Sequence, residues 1–153
     1  MVNCIEELKF KKQVSKNQKC KFHLPISIYG EKTLSLVDPG SEQTIVTEAV
    51  LNKVGFQEKI YPTTVRFQGA DKQPLEVVGL TNVSFAIDHC VYPHPTYVVR
   101  NLVEPVILGY DFLSTHNTQM DFKKNKFRIP SGEDWIEFDM PRCHNPPFPN
   151  LTP

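Results

Sequence analysis

Apolar and polar residues alternate along much of this chain, and a period of two is typical of β-strands with one buried face. Residues 24–28 and 34–36 alternate in this way on either side of a turn at Gly30, which predicts a β-hairpin. The same alternation at residues 83–87 and 97–99 predicts further strands. The pattern therefore indicates a predominantly β protein.

Two more hairpins follow from the pattern. Residues 65–67 and 75–78 flank a small, polar tip at residues 69–72, a composition that favours a mobile cover over a packed connection. Residues 120–129 contain two apolar pairs around a lysine-rich turn, and residues 135–138 could add one docked strand. Short strands separated by regular turns are typical of closed or barrel-like β domains.

One short helix interrupts the strands. Thr47 is a good N-cap, Glu48 suits the positive N-terminal end of a helix, and Gly55 is a typical C-terminal stop. The side chains expected to face the core are Val50, Leu51 and Val54. A second apolar run at residues 106–113 is broken by Gly109 and is too short for a buried helix. We therefore predict an all-β fold with one or two short helices.

The composition excludes several functions. The chain has 153 residues, which is typical of a single domain, and its 17 basic and 17 acidic side chains cancel. Because the net charge is zero, the protein has no overall electrostatic attraction for nucleic acid, and a nucleic-acid partner is not expected. The most apolar stretch, residues 97–108, contains charges and a proline, so no membrane partner is expected either. The charged residues at positions 6–9 do not resemble an export signal, and we expect a cytoplasmic protein.

Charge and proline content divide the chain into three parts. Residues 1–22 hold six lysines and two glutamates with little apolar periodicity, which predicts a flexible basic arm. An alternative function for this arm is a weak contact with nucleic acid. Residues 23–130 carry the strand pattern and form the predicted domain. Residues 131–153 are rich in proline and predict a tail.

The four cysteines are widely and irregularly spaced. Without an export signal, free thiols are expected rather than disulfides. Cys20 and His23 have a spacing that suits a metal ion, but no second close pair completes a set of four ligands. We therefore predict neither a metal site nor a cofactor.

The strongest candidate for chemistry is the stretch Leu34–Ser41. Its strand ends at Asp38, and Pro39 and Gly40 follow at once, so the carboxylate lies at the tip of a tight loop. A surface β-turn explains this short stretch on its own, because Asp-Pro-Gly is good turn chemistry. The other interpretation is the loop with which an aspartic peptidase presents its catalytic carboxylate.

Later segments favour the second interpretation. Residues 36–41, the hairpin tip at Gly69, residues 97–99 and the block Val106–Leu113 together resemble a retropepsin. The similarity covers about residues 23–130, and it is greatest to the protease domains of gypsy-type LTR retrotransposons and their host-derived relatives. It implies a retropepsin-like acid protease barrel with a flap hairpin.

The resemblance also implies roles for individual residues. Asp38 would be the catalytic acid or base, and because the chain has only one such loop, an active site would need a homodimer. The substrate would be a peptide or polyprotein. The active-site loop would be completed by Pro39, Gly40 and Ser41, the flap tip would consist of Gly69, Ala70 and Asp71, and structural support would come from Gly109 and Asp111.

Pro39 departs from the family pattern, which has Thr or Ser at this position. Proline has neither the hydroxyl nor the N–H that brace the loop across the dimer, so a weakened dimer and weak catalysis are expected. The sequence therefore supports two hypotheses, an aspartic endopeptidase or a degenerate retropepsin fold used for binding or dimerisation. In the first case, donation from the Ser41 hydroxyl to Asp38 would favour the ionised carboxylate and an acidic activity optimum.

Overall fold

The computed structural model describes residues 21–68 and 73–142 of the chain. Nine strands and two short helices lie within these ranges. The strands are β1 (His23–Ile28), β2 (Glu31–Val37), β3 (Ile45–Thr47), β4 (Val77–Ile87), β5 (Cys90–Val99), β6 (Val106–Leu108), β7 (Gln119–Asp121), β8 (Lys126–Ser131) and β9 (Asp134–Asp139). The helices are α1 (Glu48–Val54) and α2 (Tyr110–Thr115). Neither of these described helices is long and apolar enough to cross a membrane.

Six of the described strands close into a barrel in the order β1–β2–β6–β3–β5–β4, and β7, β8 and β9 form a separate sheet. Strand β6 lies between β2, with which it is parallel, and β3, with which it is antiparallel. Ile107 in β6 is therefore paired with Leu36 on one side and with Ile45 on the other. This pairing brings the C-terminal ends of β2 and β6 side by side.

Successive side chains of a strand point to opposite faces of the sheet, and the apolar side chains therefore form two separate clusters. The buried residues of the main core include Leu24, Ile26, Ile28, Val83, Phe85 and Ile87. The second cluster, on the opposite face of β2, β3 and β6, consists of Leu36, Ile45, Phe67, Val99 and Ile107. Phe67 meets the ring of Tyr97 edge-on, with ring centroids 5.0 Å apart. Burying a side chain of this size contributes roughly 1.5–3 kcal/mol, so one arm of the predicted flap is firmly packed on the barrel.

Helix α1 begins and ends where its capping residues predict. The Thr47 hydroxyl accepts a hydrogen bond from the Val50 N–H at 3.4 Å. Gly55 follows the helix in a left-handed conformation with φ of 72°, which glycine adopts without strain. Leu51 is buried in the core, as expected for its position.

The apolar run at residues 106–113 contains part of a helix, which corrects the interpretation of this run. Its first three residues form β6, Gly109 is the N-cap, and α2 follows. Phe112 and Leu113 of α2 are buried. The run stays apolar because strand and helix bury side chains in the same core, and periodicity over eight residues cannot separate the two elements.

Strand β5 is longer than predicted. The prediction missed its first half because Pro93 and Pro95 are atypical of strands. Both prolines are exposed, while His94 between them points inward. A proline cannot donate a backbone hydrogen bond and is confined to strand edges. Over residues 90–96 strand β5 pairs only with β4, since its pairing with β3 begins at Tyr97. This unpaired side accommodates both prolines.

The docked strand expected at residues 135–138 is present as β9, which pairs with β8 along its whole length. The described sheet thus continues past residue 130, where the domain was expected to end. The Tyr92 hydroxyl donates to the Pro130 carbonyl oxygen at 2.7 Å and ties this sheet to the barrel. Burial raises the pKa of Tyr92 to about 12, so the hydroxyl stays protonated at neutral pH.

Three expectations fall outside the described residues. They concern residues 1–20 of the basic arm predicted over residues 1–22, the flap tip at Gly69, Ala70 and Asp71, and residues 143–153 of the tail predicted over residues 131–153. These expectations, and the division of the chain into arm, domain and tail, remain predictions.

An aromatic cluster surrounds the C-terminal end of α2. The ring of His116 lies 4.5 Å from that of Phe112 and 5.5 Å from that of His94, measured between centroids. Its buried Nε2 atom has no hydrogen-bond partner among the described residues. Burial, and then the neighbouring His94, lower the pKa of His116, against an opposing hydrogen bond to the Pro93 backbone. The folded protein therefore favours the neutral imidazole.

Gly109, between β6 and α2, lies where no side chain fits. A Cβ there would be 2.5 Å from the Gln43 carbonyl oxygen and 2.7 Å from the Ser41 carbonyl oxygen. The backbone itself is ordinary, with φ of −87° and ψ of −177°. Glycine is therefore required by the close approach of the 41–43 segment and not by backbone strain.

The His116 environment makes stability depend on pH. We expect the free energy of unfolding to fall as the pH is lowered through the ordinary imidazole pKa of 6.5, because the unfolded chain then binds a proton that the folded chain resists. His116→Phe is expected to weaken this dependence, since phenylalanine does not titrate. Chemical unfolding of both proteins between about pH 5 and about pH 8 measures the effect. Equal pH slopes in the two proteins would contradict it.

Gly109→Ala is expected to lower the free energy of unfolding by about 3 kcal/mol, the upper end of overpacking costs, because the contacts are with backbone atoms. Gly30→Ala is the control: its φ of 79° strains alanine, but its Cβ has open space, so a cost of about 1 kcal/mol is expected. Denaturant titration compares the two variants. A cost for Gly109→Ala no larger than that for Gly30→Ala would refute the packing argument.

Candidate active site

Asp38 directly follows strand β2, beside the end of the neighbouring strand β6. The Asp38 N–H donates to the Leu108 carbonyl oxygen at 3.0 Å, so the parallel pairing continues one residue beyond the strand. Asp38 is half-buried, and its Oδ1 accepts a hydrogen bond from the Gly40 N–H at 3.0 Å. These two bonds orient both the backbone and the side chain of Asp38.

Pro39 and Gly40 are exposed and form the corner of a tight turn. The Ser41 N–H donates to the Asp38 carbonyl oxygen at 3.0 Å, which closes a four-residue β-turn. Pro39 occupies the second position of this turn, where its restricted φ is favourable. A Cβ at Gly40 would lie 3.1 Å from Asp38 Oδ1 and would crowd the carboxylate. A β-turn is therefore present, and it carries the Asp38 carboxylate.

Ser41 is fully buried beneath this turn. Its hydroxyl donates to the Gln43 carbonyl oxygen at 2.8 Å. Because a hydroxyl has one hydrogen, this bond competes with the predicted donation to Asp38. The Ser41 carbonyl oxygen accepts a hydrogen bond from the Tyr110 N–H at 2.6 Å, which ties the loop to the start of α2.

A hydrogen-bond network holds the far end of the loop. The Thr44 hydroxyl donates to Asp111 Oδ1 at 2.6 Å and accepts from the Gly109 N–H at 3.1 Å. His94 Nε2 lies 3.0 Å from Asp111 Oδ2. Burial alone would raise the pKa of Asp111, but the hydrogen bonds from His94 and Thr44 outweigh it and lower the pKa. Asp111 is therefore ionised at neutral pH and accepts on both oxygens.

Most of the predicted site residues thus come together at one end of the barrel. They are Asp38, Pro39, Gly40, Ser41, Gly109 and Asp111. The sequence analysis missed Thr44 and His94. Thr44 lies in a loop without any periodicity, and His94 lies between prolines in a stretch with no predicted strand. The only sequence signal for Thr44 and His94 was that their side chains can form hydrogen bonds. A residue type does not identify the distant residue to which it bonds.

An open cleft lies beside the loop, at the base of the predicted flap. Its lining consists of Glu42, Gln43, Arg66, Phe67 and Gln68. The two arms of the flap approach each other, since the Leu75 N–H donates to the Phe67 carbonyl oxygen at 2.9 Å and Gln68 forms a bridge with Pro74. The two arms therefore pair with each other beside the cleft, which Phe67 and Gln68 of the first arm help to line.

The chemical group that these residues offer is the Asp38 carboxylate, which is held in a loop by hydrogen bonds. Within residues 21–68 and 73–142, no three histidine, cysteine or acidic side chains are grouped so that they could hold a metal ion.

A sequence profile of known families matches most of this chain. The profile of the PEG10/RTL1 protease domain covers residues 34–134. The matched range begins in β2 and includes the Asp38 loop, the flap arms and Asp111. A comparison with curated proteins gives no match.

Two solved structures have a similar fold. The retroviral protease-like domain of Ddi1 from Leishmania major has a TM-score of 0.64 and 18% identity, over 80% of this chain and 94% of that chain. EIAV protease, complexed with the inhibitor HBY-793, has a TM-score of 0.57 and 18% identity, over 71% of this chain and 100% of that chain. These similarities confirm the predicted fold. The chain therefore belongs to the family of the PEG10/RTL1 protease domain and is a retropepsin-like aspartic protease domain.

Proposed function

We propose that the chain is an aspartic endopeptidase that works as a homodimer, with one Asp38 from each copy. The observation that carries this proposal is the position of Asp38, at the paired ends of β2 and β6 in a retropepsin-like barrel. The sequence contains a single Asp-x-Gly loop, so a pair of such carboxylates requires two copies of the chain.

The reaction would use the two carboxylates in different protonation states. Two Asp38 side chains that face each other across one water cannot both ionise, because their charges repel, so the pair shares a proton. The ionised member takes a proton from the water, which attacks the scissile carbonyl. The protonated member then gives its proton to the leaving amine. The Gly40 N–H that donates to Asp38 Oδ1 would stabilise the ionised member.

The proposed substrate is an extended peptide or polyprotein strand in the cleft between the loop and the flap. Main-chain groups of such a strand can pair with neighbouring backbone, and pockets for alternate side chains supply specificity. The cleft has Glu42 and Arg66 as charged groups and Phe67 as an apolar one. A flap that closes over the strand would exclude bulk water from the reaction.

A second candidate is a retropepsin fold with little or no catalysis, used for binding or dimerisation. Pro39 favours it, because proline lacks the hydroxyl and the N–H that Thr or Ser offers at this position. Pro39 is exposed at the corner of the turn in the single chain. Each hydrogen bond lost to a partner copy would cost about 1 kcal/mol, and the symmetry of a dimer doubles that cost.

Asp38→Asn tests the endopeptidase. We expect the purified wild-type chain to cleave members of a broad peptide library between about pH 4 and about pH 7, with inhibition by pepstatin. Asp38→Asn is expected to lower kcat at least about a hundredfold, because an amide neither takes nor gives the proton. The matched control is Asp88→Asn, the same change at an exposed aspartate in the β4–β5 turn, which is expected to leave kcat unchanged.

A purified wild-type dimer that cleaves nothing over this pH range would exclude the endopeptidase and favour the second candidate. Cleavage that persists in Asp38→Asn would show that Asp38 is not the catalytic carboxylate.

Pro39→Thr tests the second candidate. We expect Pro39→Thr to lower the dissociation constant Kd of the dimer about fivefold for each 1 kcal/mol of binding free energy regained. We also expect this substitution to raise kcat/KM. Sedimentation equilibrium measures the first effect and peptide cleavage the second. Pro39→Ala is the control, because it restores the N–H without the hydroxyl. If Pro39→Thr changes neither quantity, the argument from Pro39 is wrong.

A further inference from the structure

His94 is buried on β5, with 5% of its side chain exposed. Its Nε2 lies 3.0 Å from Asp111 Oδ2, and since an ionised carboxylate only accepts, this nitrogen carries a hydrogen. The ring of Phe112 packs against the imidazole with centroids 5.4 Å apart. The His94 carbonyl oxygen accepts a hydrogen bond from the Thr96 hydroxyl at 2.8 Å. The bond to Asp111 and the contact with Phe112 hold the ring in one orientation.

From Asp111 the contacts continue to the active-site loop. The Thr44 hydroxyl donates its hydrogen to Asp111 Oδ1 at 2.6 Å and accepts the Gly109 N–H at 3.1 Å. The Thr44 carbonyl oxygen accepts the Tyr97 N–H at 3.1 Å. Thr44 is thus bonded to α2, to the end of β6 and to β5 at the same time.

Both ends of the loop that runs from Asp38 to Thr44 meet the end of β6. Asp38 donates to the Leu108 carbonyl oxygen, and Thr44 accepts from the next residue, Gly109. The Asp111 side chain is 26% exposed. Removing the donor on Asp111 Oδ2 would take one hydrogen bond from this partly buried carboxylate, and the rest of the network would rearrange. The rearrangement would reach Asp38 through Thr44 and the end of β6.

We propose that His94 is a positioning residue for the Asp38 loop. Its Nε2–H orients the Asp111 carboxylate, which through Thr44 and Gly109 sets the placement of Asp38. The inference rests on the proposed function, because it gives His94 a part in a reaction at Asp38. His94 itself touches neither Asp38 nor the cleft residues in any described contact.

Two substitutions at position 94 separate positioning from packing. His94→Leu removes the donor, while His94→Gln keeps an N–H that can reach Asp111. We expect His94→Leu to lower kcat at least about tenfold with KM changed less than about twofold, because the reacting groups are misplaced while the cleft is intact. His94→Gln is expected to restore kcat to within about threefold of wild type. The controls are His89→Leu and His89→Gln in the exposed β4–β5 turn, both with unchanged kcat.

Amide hydrogen exchange followed by NMR gives a readout that does not depend on cleavage. In His94→Leu, the amides of Asp38, Gly109 and Tyr110 are expected to exchange at least about tenfold faster than in wild type, with no change in β8 and β9. His94→Gln is expected to return these three amides to the wild-type rates.

Unchanged kcat and unchanged exchange at the three amides in His94→Leu would overturn the inference. Faster exchange throughout the barrel without rescue by His94→Gln would also overturn it, because a purely structural role predicts that result. If the wild-type chain cleaves nothing but the three amides respond as expected, the proposed function fails while the effect of His94 on the loop stands.

Discussion

The parallel pairing of β2 with β6 is the constraint on which the candidate site depends. It places Val37 beside Leu108, and the Asp38 N–H extends the ladder by one further bond to the same residue. Strand β6 can turn into α2 at this point only because Gly109 leaves room for the 41–43 segment. The position of the carboxylate is therefore determined by strand pairing in the barrel, and not by the loop alone.

The polar groups of the loop are largely satisfied within a single chain. The Gly40 N–H bonds to Asp38, the Ser41 hydroxyl to a backbone carbonyl, and the Thr44 hydroxyl to Asp111. These bonds are compatible with Pro39, whose restricted φ suits the second position of the turn.

Local signals were sufficient to predict most of the secondary structure. Alternation identified the β1–β2 and β7–β8 hairpins, and Thr47 and Gly55 located α1, because each of these signals acts between near neighbours in the chain. The order of the Asp38 loop, the flap hairpin and the Val106–Leu113 block indicated the fold family. Local rules failed at Pro93 and Pro95, where a strand edge tolerates prolines that in isolation read as loop.

The sequence by itself therefore determined most of the strands, the capped helix and the identity of the residue at the loop tip. Only the tertiary structure decided which distant residues meet around it. Thr44 and Asp111 are 67 positions apart, and His94 is 17 positions from Asp111. Such bonds leave no period in the sequence, because their geometry depends on how β3, β5 and β6 close into one barrel.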